Sequence, residues 1–155
     1  MNREIKFRGK SKKTRKWLYG YLGESKFRIL DYVYTDKVIF DNVLSFNTDN
    51  SAYVIKDLSV EEETIGQFTG LRDKNGNEIY EGDILRFYHN NKEYVCIVGW
   101  NNEVGAWCIR FKGEKHVGIK PLGEWIYEYK IDVIGKIYDN KDLAGGDDYV
   151  KEQRI

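Results

Sequence analysis

Eight cations crowd the first seventeen residues of this chain, Arg3, Lys6, Arg8, Lys10, Lys12, Lys13, Arg15 and Lys16, against Glu4 alone. Lys6, Arg8, Lys10, Lys12, Lys13, Arg15 and Lys16 could neutralise phosphates while Trp17 and Tyr19, with Tyr21 beyond them, stack on bases. Single-strand nucleic-acid binders use that combination. The same residues also suit a hairpin whose lysines solubilise its tip and whose aromatics face a core. Both readings stand at this point.

A second candidate lies in the middle of the chain, where Glu78, Glu81 and Asp83 form the densest carboxylate cluster. Paired carboxylates can do acid–base work when burial pushes their pKa values apart. Here they sit among turns, where a solvated rim is the simpler reading, and Asp83 is placed to accept backbone N–H bonds at the start of its strand. Asp73-Lys74-Asn75-Gly76-Asn77 opens like a calcium loop. It then fails, because position six, which needs glycine, is Glu78, and position twelve, which needs a bidentate carboxylate, is Ile84.

The remaining chemistry is sparse. His89 and His116 stand alone in polar connections. Cys96 and Cys108 are too few for a disulfide scaffold and not spaced as a metal knuckle; they are expected to be buried, reduced and, across a hairpin turning at Asn101-Asn102-Glu103, nearly opposite each other. The sequence holds no nucleophile elbow, phosphate-binding glycine loop, dinucleotide fingerprint or H-E-x-x-H. The expectation is therefore a protein that is not an enzyme, with no catalytic residue, no metal and no cofactor.

What must position these groups is a set of strands. Ile5-Lys6-Phe7-Arg8 alternates with a period of two, and Trp17 to Leu22 is the returning strand. Short runs follow at Arg28 to Tyr34, Val38 to Leu44 and Ala52 to Leu58, with turns expected at Thr35-Asp36-Lys37 and at 47–51. Ser59-Val60-Glu61-Glu62 has the capping-box pattern and could open one brief helix before Gly66. Asn75-Gly76 reads as a two-residue hairpin loop, with Asp73 bonding the N–H two residues on. A second tight turn at Glu81-Gly82-Asp83 leads into strands at Asp83 to Tyr88, Glu93 to Trp100 and Ala106 to Lys112, and the last strong strand is Asp132 to Tyr138. Its Ile-Gly-Lys-Ile-Tyr echoes Ile65-Gly66-Gln67-Phe68-Thr69. Five residues are too short a match to establish a duplication, but the two strands could pair or take equivalent places in two sheets.

The segment ETIGQFTGLRDKNGNEIYEGDIL resembles the signature of the YopX-like proteins encoded by phages and prophages, and REIKFRGKSKKTRKWLYGYL and KIDVIGKIYDNKDL are similar to that family's beginning and end. The resemblance runs from about residue 3 to about residue 144. It implies a phage or prophage setting in a bacterial cytoplasm and lends no catalytic residue, because members of that family are largely uncharacterised.

Composition bounds the rest. The 155 residues are 41% hydrophobic, 15% aromatic and 32% charged, with formal charges cancelling, so no global field steers the chain to nucleic acid or membrane. No apolar window is long enough to span a bilayer, and the N-terminus lacks a signal peptide's apolar stretch. Scarce alanine and plentiful Tyr, Ile, Val and Gly favour strands. The expected fold is mainly β with little helix: an N-terminal antiparallel sheet region (1–63) packed on a C-terminal SH3-like small barrel or curled sheet (64–144), with a flexible tail (145–155). Twelve tyrosines and four tryptophans exceed what a small core comfortably buries, which points to a homo-oligomer. The expected role is binding or self-assembly, with a phage or host protein or nucleic acid as partner; a carboxylate enzyme at Glu78 and Asp83 is the most distant alternative.

Overall fold

The alternating residues after Ile5 form β1 (Phe7–Lys10), which reverses through the lysine-rich loop into β2 (Trp17–Ile29). A computed structural model, which describes residues 4–40, 58–111 and 120–145, continues with β3 (Tyr32–Phe40), a 3-10 turn (Glu62–Thr64), β4 (Gly66–Arg72), β5 (Glu78–Tyr80) and β6 (Asp83–His89). Then come β7 (Lys92–Asn101), β8 (Ala106–Phe111), helix α1 (Leu122–Glu128), β9 (Asp132–Lys136) and the single-turn helix α2 (Lys141–Ala144). The fold is mainly β, in two antiparallel sheets ordered β3-β2-β1-β4-β5 and β8-β7-β6-β9. Among the described residues the second is an open four-stranded sheet, not a closed barrel. The chain divides into two units, Met1–Phe68 and Thr69–Ile155, at a point inside β4. The expected runs at 41–44 and 52–57, the turn at 47–51, His116 and the tail from residue 146 lie outside the described residues.

In the first unit Val38, Ile39, Val60 and Phe68 are buried, as are Arg8, Ser11, Ser59 and Thr64. Gly9 is required there: a Cβ would sit 3.0 Å from Ile39 Cδ1 and from Val60 Cβ. Ser59 does not cap a helix. It bridges Val38, and the 3-10 turn starts instead from Glu61 with no side-chain cap; Thr64 Oγ1 donates to the Glu61 carbonyl (2.7 Å) and accepts the Lys10 N–H (2.8 Å). The capping pattern loses because strand pairing takes Ser59 first.

The turn expected at Thr35-Asp36-Lys37 is strand. β2 and β3 pair in unbroken register from Tyr21↔Phe40 to Ile29↔Tyr32, and the chain reverses at Leu30-Asp31. Cross-strand and neighbouring ion pairs hold those polar residues extended: Lys37 Nζ to Glu24 Oε2 (3.0 Å) and Lys12 Nζ to Asp36 Oδ1 (2.6 Å). β1 pairs with β2 only over Trp17 to Gly20, so beyond Gly20 the two strands form a ribbon with no third strand among the described residues.

The second unit buries apolar side chains on both faces of its sheet. Leu85, Phe87, Cys96, Val98 and Ile109 form one layer with Ile79, Leu122 and Ile131; Ile84 and Ile97 form the other with Ile137 and Ala144. Each buried aliphatic side chain contributes about 1.5–3 kcal/mol. Helix α1 covers the first layer with Leu122, Trp125, Ile126 and Tyr129. That spacing of three, four and seven behind Pro121 is a helix signal that was present in the sequence. The cysteines are not opposite each other: Cys96 faces Phe111 and Cys108 faces Gly99, an odd offset that puts the two thiols on opposite sides of the sheet. Both are buried and unbridged, and burial pushes the Cys96 thiol up to about 12.

The two Ile-Gly strands do not pair with each other. β4 lies beside β1, and β9 beside β6, where the register slips around Ile134. Gly135 admits the Asn140 amide, whose Oδ1 accepts the Lys136 N–H at 3.1 Å and would lie 2.6 Å from a Cβ.

Candidate functional site

The basic loop is built by Ser11. Its N–H donates to the Lys16 carbonyl (2.8 Å), its carbonyl accepts the Arg15 N–H (3.0 Å) and its Oγ accepts the Thr14 N–H (3.1 Å), with Arg15 at φ 60° completing the reversal. The loop is docked, since the Lys12 N–H donates to the Ser59 carbonyl (2.9 Å) and the Glu61 N–H to the Lys10 carbonyl (2.9 Å). Several of its cations already have anions. Lys6 lies 3.4 Å from Glu4, Lys12 pairs with Asp36, and Arg15 pairs with Glu61.

Arg8 is buried, with its guanidinium 5.0 Å from the Trp17 ring centroid. That contact occupies one face of the indole that base stacking would use. Lys10 is half-buried, Lys13 and Lys16 are exposed, and Tyr19 is exposed on β2. The structure thus brings the sequence's nucleic-acid candidates onto one loop and its flanking strands, with Lys6, Lys12 and Arg15 in ion pairs and Arg8 in the interior.

The carboxylates of the second unit are engaged by the backbone and by neighbouring side chains. Asp83, fully buried, accepts the Tyr80 N–H through Oδ2 at 2.8 Å across the turn at Gly82, whose φ of +77° requires glycine. Glu78 accepts the Arg72 guanidinium (2.7 Å) and the Tyr80 hydroxyl (2.7 Å). Asp73 bonds the Asn75 N–H two residues on (2.8 Å), the Asn77 N–H (2.9 Å), the Asn77 amide (3.0 Å) and the Val133 N–H (3.1 Å). Burial opposes ionisation of Asp73, but these donors outweigh it and hold its carboxyl below the ordinary value.

The hairpin there differs from the expected two-residue loop. The Asp73 N–H bonds the Asn77 carbonyl around a three-residue loop, and within it only Gly76, at φ +84°, is left-handed. The two-residue turn lies instead at Asn90-Asn91, both left-handed, between the paired residues His89 and Lys92. The Lys74 ammonium and the Asn75 amide reach Asp132, at 2.7 and 3.0 Å, and hold its carboxyl low. Oxygens that resembled half of a cation loop therefore hold the hairpin to the start of β9. Among the described residues no group of three or more His, Cys, Asp or Glu is arranged to hold a metal ion.

One surface was missed in the sequence, the free end of the β2–β3 ribbon. Leu30 is 86% exposed and left-handed (φ 54°), a conformation unfavourable for a branched side chain, and Tyr32 and Val33 are 70% and 60% exposed. The register places Phe27 opposite Tyr34 and Ile29 opposite Tyr32. The available signal was Tyr-Val-Tyr-Thr, a strand without a charge. It was obscured because Leu-Asp lacks the glycine or asparagine that marks a turn.

Residues 6–144 match the family described as YopX protein, and because that covers most of the chain, the chain belongs to the YopX family. No curated protein matches it. Among solved structures it is similar to protein EF1440 from Enterococcus faecalis, at 19% identity and a TM-score of 0.51, over 92% of this chain and 99% of that one. At that identity the likeness is one of fold. No helix among the described residues is long and apolar enough to cross a membrane.

Proposed function

We propose that this chain is a non-enzymatic binding and self-assembly module that serves a phage or prophage in the bacterial cytoplasm, with the β2–β3 ribbon as its working surface. The observation that carries the reading is the concentration of solvent-exposed Tyr21, Leu30, Tyr32, Val33 and Tyr34 on one ribbon. An isolated two-stranded ribbon is marginally stable in water and gains from having an apolar side covered. Tyrosine suits such a cover, because its ring buries while its hydroxyl keeps a polar contact. The buried Asp83 and Asp73 are committed to backbone donors, which supports a structural rather than an acid–base role for them.

Light scattering of the full chain at micromolar concentration tests the reading. The expected mass is a multiple of 18.3 kDa; a single-chain mass would sink the self-assembly half. A pull-down from phage-infected cells, with and without nuclease, tests the binding half, and the expected partners survive nuclease. Partners lost with the nucleic acid would move the function to the basic loop.

A further inference from the structure

We infer that two copies of this chain join through the outer edge of β3, in an antiparallel pairing whose two-fold axis passes beside Val33. This rests on the self-assembly reading and names its surface. β3 is the first strand of its sheet order, and among the described residues its outer side is paired only at its inner end, where the Val60 N–H donates to the Lys37 carbonyl (2.9 Å) and Ser59 bridges Val38. That bond fixes the parity of the strand. In an antiparallel ladder alternate residues point their N–H and C=O to opposite sides, so Lys37 facing outward means that Thr35, Val33 and Asp31 face outward too, while Tyr32, Tyr34 and Asp36 pair with β2.

The open edge is therefore bounded, by the reversal at Leu30 on one side and by Val60 at Lys37 on the other, and the span from Asp31 to Thr35 is centred on Val33. A second copy fits that span. Val33 meets the partner's Val33, and Asp31 meets the partner's Thr35, a carboxylate beside a hydroxyl donor. Tyr32 meets the partner's Tyr34, an aromatic pair at the closer, non-hydrogen-bonded spacing. The partner's turn ends where Val60 begins. Natural edge strands deter such pairing with lysine, proline or a bulge; Tyr32 to Thr35 has no lysine or proline, and its register with β2 is unbroken. Pairing would turn two marginal ribbons into one four-stranded sheet.

Val33→Pro is the selective disruption. The N–H it removes points away from β2, so the ribbon's own ladder is kept and only the intermolecular one is broken. The expected result is association weakened by roughly 100-fold or more, read by light scattering against wild type. Tyr32→Cys and Tyr34→Cys chains, mixed and oxidised, should cross-link to each other and neither to itself. A wild-type chain of single mass overturns this pairing together with the reading it rests on. A wild-type assembly that Val33→Pro leaves intact, or whose mixed cysteine chains fail to cross-link, overturns the β3 edge alone and leaves self-assembly standing.

Discussion

The ribbon of the first unit and the sheet of the second are both antiparallel, yet they treat the same residue types in opposite ways. Leu85 is fully buried in the second unit's core, in one cluster with Ile79 and Phe87, whereas Leu30 stands in solvent at a strained turn. Asp83 and Asp73 accept backbone N–H groups, whereas among the described residues the outer main-chain groups of β3 at Val33 and Thr35 face no strand. Carboxylates spent on backbone donors in this way hold turns in place. The β3 edge is the surface that the proposed self-assembly would use.

The two leucines should differ most in what their loss costs. Leu85→Ala should cost about 3 kcal/mol, from lost burial plus a cavity, seen as a lower urea midpoint. Leu30→Gly should instead stabilise the isolated chain by about 1 kcal/mol, since glycine adopts the left-handed conformation without a Cβ penalty. Equal costs at both sites would mean that the ribbon tip is packed like a core.

Asp83→Ala comes next. It strands the buried Tyr80 N–H, for about 2 kcal/mol, measured in the same unfolding experiment; a loss within error would show that Asp83 is not the acceptor that holds that turn.

Acid sharpens the contrast. Asp73 and Asp132 both have carboxyls held below the ordinary aspartate value of 3.8: burial opposes ionisation of Asp73 but its donors outweigh it, and Asp132 is held low chiefly by Lys74. A depressed carboxyl contributes stability that is fully present above the unfolded value and lost as pH falls through the folded one. Unfolding monitored between neutral pH and pH about 2 should therefore show stability falling most steeply below 3.8, and Asp73→Asn should flatten that limb. An unchanged slope would remove Asp73 as its source.

The smallest effect belongs to the basic loop. Lys12→Glu or Arg15→Glu replaces one exposed pair by a repulsion and should cost at most about 1 kcal/mol. Reversing Lys12, Lys13 and Lys16 together should leave fluorescence-detected affinity for single-stranded nucleic acid at low salt unchanged; a large loss would put nucleic acid ahead of the ribbon.

Turn chemistry and alternation were legible because they are local. Asp73 bonding the N–H of Asn75, the reversal at Glu81-Gly82-Asp83 and the strands from Asp83 to Phe111 follow from residues within a few positions of one another. The family was legible for a similar reason, since the stretch that carries the resemblance is the one whose order dictates its own shape. Helix α1 was legible in principle, from Leu122, Trp125, Ile126 and Tyr129, but the surrounding β rhythm hid it.

Only the tertiary structure decided the rest, because it depends on pairing between distant residues. Lys37 is strand and not turn because Glu24 lies across from it; Arg15 is an ion-pair partner because Glu61 lies beside it; Cys96 and Cys108 part because the register is odd. The open edge of β3 belongs to this second group. A sequence shows that Tyr-Val-Tyr-Thr can be a strand, and only the bond from Val60 to Lys37 decides which of its amides face outward and where the opening stops.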